Sequence, residues 1–313
     1  MKLILLIVII QQSLAFDLPA TGCCADIKIN NDHFNITDTY HTGDAYPTDA
    51  HYDVYGNLFY VESGKDDKGF YFDVKVIKFK TTSPEKITGL PEGTSYSVAI
   101  DKKNTKVYFG TRRGIFTYDY ETHNATPVSE STLKLDMIFV DKDGNQYITE
   151  SNNGVEELFL LDGKKKIRFH TLEALNELGI DDKNNFYYIK EERLYVLKND
   201  LSSPVYIGNI TYDGLAQISF HKEHVFVASD DLIYFHEKDI GKLVTVANVP
   251  GKVTAVAFDN IGNFVIGIKG KILKYKKNVC YHRENDNQNM DGNDNQDVVL
   301  SNNINMNEKP GMN

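Results

Sequence analysis

Along the middle of the chain, hydrophobic and polar positions alternate in runs of four to six residues that stop at turn signals every eight to twelve. That is the period of a β-strand, whose successive side chains point to opposite faces. Other runs, such as Lys106–Gly110, Phe186–Ile189 and Phe264–Gly267, are almost continuously apolar, as expected of strands covered on both faces. The runs are arranged around a recurring turn. Phe139 and Val140 lead into Asp141-Lys-Asp-Gly-Asn145, and Tyr147 and Ile148 lead out. Versions of this turn begin at Asp53, Asp101, Asp181 and Asp259, with a shortened copy at His221, so the six anchors are 48, 40, 40, 40 and 38 residues apart.

Each repeat predicts four strands. An inner strand ends on an apolar residue just before the anchor (Ser97–Ile100, Thr254–Phe258), and a second follows the turn. A third alternates aliphatic and aromatic residues (Gly114–Tyr118, Lys271–Tyr275), and a weaker fourth comes last (Lys166–His170, Leu243–Val246). Four strands in about 40 residues is the signature of a propeller blade. The pattern therefore predicts an all-β, six-bladed β-propeller over residues 16–283. A longer second hairpin in the first blade, Glu62–Asp73, accounts for the 48-residue spacing. Thr171–Leu178 has helix-like leucine spacing, but the repeat register assigns Ala174–Ile180 to the approach of the fourth inner strand.

A propeller has to close, because an open ring leaves a sheet edge exposed. The last blade runs out of chain after Lys271–Tyr275, and Asp26-Ile-Lys-Ile-Asn30 is expected to supply its outer strand. Antiparallel pairing there would bring Cys23 or Cys24 beside Cys280, so the same seam would carry a disulfide whose N-terminal partner is either of the two. On the chain-entropy account, such a bridge stabilises by roughly 4–5 kcal/mol.

The two ends read differently from the body. Residues 1–15 combine Lys2, the apolar run Leu3–Ile10 and a small-residue cleavage site at Ser13-Leu-Ala15, which predicts a secretory signal peptide and an extracellular protein. Residues 284–313 are rich in Asn and Asp and nearly free of apolar side chains, the composition of a disordered tail. A net charge of −10 argues against nucleic acid or an anionic membrane as partner, since both favour a basic face. A small-molecule ligand and a monomer are the expectation. The sequons at Asn35, Asn124 and Asn209 permit glycosylation, although about three would arise by chance in so Asn-rich a chain.

No nucleophile elbow, phosphate loop, zinc-protease helix or dinucleotide fingerprint is present. His221 and His224 are spaced as a helical metal pair would be but fall in a blade turn, where they read as solvated. The channel mouth is the remaining place for chemistry. Five residues before each anchor stand Thr48, Tyr96, Asp136, Asn176, Ala216 and Thr254, the positions expected to face the axis. The next residues, Asp49, Ser97, Met137, Glu177, Gln217 and Ala255, are expected to point into the blades; a register shifted by one would instead restore a polar ring from Asp49, Glu177 and Gln217 and is the main route by which an enzyme reading survives.

The blade pattern resembles the calcium-dependent six-bladed lactonases and esterases, a family that holds its cation in a ring of Glu, Asn and Asp at this mouth. Of the axial set only Asp136 and Asn176 match that pattern, which weakens the hydrolase alternative. The chain as a whole, from Met1–Ala15 through Cys23-Cys24 to the motifs Tyr52–Phe59 and Val140–Tyr147, is similar to the lepidopteran ommochrome-binding proteins. That resemblance implies a secreted haemolymph protein that binds phenoxazinone pigments without catalysis or cofactor. It names no binding residue. A flat, anionic tricycle favours an aromatic face and hydrogen-bond partners, which makes Tyr96 (stacking), Thr48, Asn176 and Thr254 (hydrogen bonds) and Asp136 (a pigment amino group) the candidate ligand contacts.

Overall fold

The computed structural model describes residues 25–278, apart from 30–31, 129–132, 134, 154, 164, 238–240 and 250. The predicted signal peptide, all three cysteines and the tail lie outside the described residues. Six antiparallel sheets form six blades, five of four strands and one of five. Their innermost strands are Tyr46–Tyr52, Ser95–Asp101, Met137–Val140, Glu177–Ile180, Ala216–His221 and Val253–Phe258, in blades one to six.

Strand alternation explains how the blades hold together. In the second strand of blade six, Phe264 and Ile266 pack toward blade five, while Val265 packs toward blade one. In blade four, Tyr187 and Ile189 face blade five, and Phe186 and Tyr188 face blade three. Each junction between neighbouring blades thus has its own apolar cluster, six in all among the described residues. Burying one such side chain stabilises by roughly 1.5–3 kcal/mol, which is why the inner strands read as nearly unbroken hydrophobic runs.

The repeated turn has one construction. In the first, third, fourth and last copies the Asp carboxylate accepts the backbone N–H groups two and four residues on, at 2.8–3.0 Å. Its other oxygen accepts the side-chain amide of the Asn four residues on, at 2.7–2.9 Å. The position between needs a left-handed backbone, φ +83° at Gly56, +82° at Gly144, +60° at Asn184 and +89° at Gly262, which is why Gly or Asn stands there. The Asn also has an outward role. Asn57 Oδ1 accepts Phe79 N–H at 2.9 Å and Asn185 Oδ1 accepts Asn199 N–H at 3.1 Å, so the turn tethers the loop after the third strand of its own blade.

The ring closes with an N-terminal strand, but not with the segment expected. The strand paired to Lys271–Lys277 is Asp32–His41, with Phe34 opposite Lys277 and His41 opposite Lys271. Ile27–Ile29 hairpins onto its far side as a fifth strand. The longer segment takes the inner place because it can satisfy the whole edge of the last strand; Ile27–Ile29 pairs over three residues only. No helix occurs among the described residues. Around the leucine-spaced segment, a strand runs to Glu173, Ala174 reverses the chain at φ +56° and the next strand starts at Glu177. The shortened copy also differs from expectation: His221 stacks on Phe258 at 5.1 Å and 18°, and His224 lies against Phe235 at 4.9 Å, so neither ring is simply solvated.

Asp141→Ala removes the acceptor for three donors of its turn and is expected to destabilise the fold by about 2 kcal/mol. Urea unfolding of that variant beside Lys142→Ala would check this, and equal midpoints for the two would refute the role given to the anchor.

Candidate functional site

The innermost strand of a blade has a free edge facing the channel, and its N–H groups need partners. Side chains four residues before the anchors supply them. Asp49 accepts Val98 N–H at 2.5 Å, Ser97 accepts Ile138 N–H at 2.9 Å and Gln217 Oε1 accepts Val256 N–H at 3.1 Å. Each donor lies three residues before the anchor of the following blade. Three blades do not continue the series: Met137 and Ala255 have no acceptor to offer, and Glu177 bonds no N–H of the next blade among the described residues. Gln217 covers the second gap by reaching on to Ala50, accepting its N–H at 3.1 Å and donating to its carbonyl at 2.7 Å. At the first gap the Glu177 carboxyl stands beside the N–H of Leu178, which opposes the rise in its pKa.

The channel between these strands encloses about 150 Å³ and is lined by Asp49, His51, Glu177 and Gln217 among others. His51 Nε2 lies 2.7 Å from Asp49 Oδ1. Glu177 lines the same space, and its carboxyl is held well above the ordinary carboxylate range, first by burial and then by the charge of Asp49. Asp49, Glu177 and Gln217, one step on from the positions expected to face the axis, therefore line the cavity, whereas Ser97, Met137 and Ala255 do not. The ladders of Glu177 and Gln217 are regular, and bulges mark the inner strands of blades one, two and six. The inner-strand ladders slip between Thr48 and His51, between Ser95 and Ser97 and between Val253 and Ala255, so Tyr96 and Thr254 are themselves the extra residues.

None of the five residues expected to contact ligand lines the channel cavity. The Thr48 hydroxyl bonds Val61 O at 3.3 Å and Ser63 Oγ at 2.9 Å. Thr254 is buried and donates to Pro47 O at 2.6 Å, joining blades six and one. Of the five, Tyr96 and Asp136 interact through their charges. The Tyr96 ring lies 4.8 Å from Phe72 and 5.4 Å from the Arg112 guanidinium, and its hydroxyl pKa is raised by burial, with Arg112 opposing and Asp136 adding to the shift. Asp136 accepts Ser151 N–H at 2.9 Å and helps raise the carboxyl of Glu156, itself mainly perturbed by burial. Asn176 is exposed and bonds the hydroxyl of Tyr212. Of the sequon residues, Asn124 and Asn209 are exposed, whereas Asn35 is partly buried with its amide oxygen bonded to Asn278 at 2.5 Å. Among the described residues no group of three His, Cys, Asp or Glu side chains is arranged to hold a metal ion.

Because the Glu177 pKa is raised on folding, its contribution to stability is fully present below the unfolded value and is lost as pH rises through the folded one. Glu177→Gln should therefore gain stability relative to the native chain between about pH 4 and pH 7.5. Denaturant midpoints at the two pH values measure this, and a difference that does not change with pH would contradict it.

No family model matches the chain. Its sequence is 20% identical over 223 residues to the ommochrome-binding protein of Manduca sexta, covering 69% of this chain and 78% of that one. Among solved structures it is similar to a gluconolactonase of Xanthomonas campestris, with a TM-score of 0.64 at 11% identity over 80% of this chain and 92% of that one. A streptogramin B lyase matches with a TM-score of 0.51 at 11% identity, over 78% and 98% of the two chains. The chain is a six-bladed β-propeller, distantly related in sequence to an ommochrome-binding protein and alike in fold to propeller enzymes.

Proposed function

We propose that this chain is a secreted, non-catalytic carrier of ommochrome pigments, the flat phenoxazinones. The observation that carries the reading is the state of the channel. Two of the polar side chains that line it, Asp49 and Gln217, are engaged with the backbone, where they hold neighbouring inner strands together. At about 150 Å³ the channel is also smaller than the roughly 300 Å³ at which small-molecule sites begin. The distant likeness to the Manduca sexta ommochrome-binding protein supports the same reading and supplies the ligand class. Tyr96 offers an aromatic face whose hydroxyl feels the charge of the Asp136 carboxylate, and Asn176 offers an exposed amide.

The alternative is a calcium-dependent lactonase or esterase, favoured by the likeness in fold to the gluconolactonase and by oxygen donors at Asp136, Asn176 and Glu177 near one end of the inner strands. The two readings separate in one preparation. The purified chain is titrated with a xanthommatin-type pigment while its absorbance is followed, and it is assayed with calcium and a lactone. A saturable spectral shift without turnover supports the carrier. Calcium-dependent hydrolysis with no pigment binding would sink it. Tyr96→Ala and Asp136→Ala are expected to weaken pigment binding if these residues hold the ligand, by about tenfold each.

A further inference from the structure

The junction between blades six and one differs from its neighbour. Between blades one and two, the loop after the third strand of blade two reaches back over the turn of blade one. There Tyr120 bonds Asp53 at 2.9 Å and packs edge-on against Tyr55 at 5.0 Å, and the gap is filled. The corresponding loop of blade one, Lys78-Phe-Lys80, makes no such crossing to the turn of blade six. Phe79 instead rests on its own blade, its ring against the bare backbone of Gly56 and its N–H held by Asn57. A groove of about 410 Å³ is left open at the seam.

The groove has a consistent chemistry. Its floor is the outer end of the junction's apolar cluster, with Tyr40, Leu58 and Ile77. Its lips are Phe79, 58% exposed, and Ile261, 84% exposed, whose N–H is pinned by Asp259 at 3.0 Å. Along the last strand the face that buries Ile272 continues outward as Lys274 and then Lys276, and Lys80 lies over the Phe79 ring at 5.2 Å. Lys78 is paired to Glu85 at 2.8 Å, whereas Lys80, Lys274 and Lys276 form no ion pair among the described residues. Of the two groove carboxylates, Asp259 is occupied by its turn and Asp38 stands opposite Lys274 in the ladder. On a chain of net charge −10, this is a cationic, aromatic-lipped slot of a size suited to a small organic molecule.

We propose that this seam groove is a binding site for planar aromatic anions, the ring lying between Phe79 and Ile261 and the carboxylate or sulfonate meeting Lys80 and Lys276. Stacking on a fixed, exposed ring and charge-assisted contacts to lysines are the two interactions such a ligand requires. That the natural ligand is a pigment dicarboxylate rests on the carrier reading; the groove's affinity for the class does not.

The test uses two probes on the full chain: a xanthommatin-type dicarboxylate followed by absorbance, and anilinonaphthalene sulfonate followed by fluorescence. Lys80→Glu, Lys276→Glu and Phe79→Ala alter exposed side chains, and Lys68→Glu on a distant hairpin serves as control. Each charge reversal is expected to weaken both probes about tenfold, with the control unchanged. Dye binding that is lost in these variants while the pigment fails to bind the native chain would support the groove and overturn the carrier. Pigment and dye binding that are indifferent to all three variants would overturn the groove and leave the carrier standing. No dye binding to the native chain at millimolar concentration would also overturn the groove.

Discussion

An inner strand with a free edge is the constraint on which the rest of this structure depends. Six such edges face one axis, and each has N–H groups that water in a narrow channel serves poorly. Here the answer is a relay of side chains, each reaching from one blade to the backbone of the next. It makes the ring's interior a set of mutual obligations. Where Ala255 breaks the series, Gln217 takes over by reaching past blade six to the backbone of blade one. Asp49, Ser97 and Gln217 thereby place polar side chains on the inner strands in the service of the backbone.

The same economy applies between the blades. Alternate residues of one strand serve two different junctions, so no strand has a spare face. Binding capacity is left where a junction runs outward past its apolar cluster and the filling residue is missing. The two junctions of blade one show the contrast: a tyrosine hydroxyl reaching a buried aspartate closes one, and a phenylalanine with no hydroxyl to offer stays on its own side of the other. Fold likeness to lactonases and lyases is compatible with either outcome, since the scaffold is common and the site is local.

Blade number and strand order were legible because they rest on local patterns: period-two alternation and an Asp-to-Asn turn that needs a left-handed residue at a fixed place. The choice of closing strand was not legible. Ile27–Ile29 and Asp32–His41 both read as β, and only pairing with a strand far along the chain decides between them. The channel lining failed for a related reason. Counting back from an anchor gives a spacing but not which of two adjacent side chains turns inward, and Glu177 and Gln217 do so in strands that carry no bulge. The seam groove had no local signature, because its lysines, Phe79 and Ile261 come from three separated segments.

Closure by Asp32–His41 also sets a timetable. The strand leaves the ribosome early, yet its partner, Lys271–Lys277, lies more than 200 residues further along the chain. At about 5–20 residues per second the interval is roughly 10 to 50 s, during which the N-terminal hairpin has no sheet to join. For that time it is an unpaired edge in a nascent chain. Its charged residues Asp32 and Asp38 disfavour premature pairing with another strand, so they guard assembly before the ring can close.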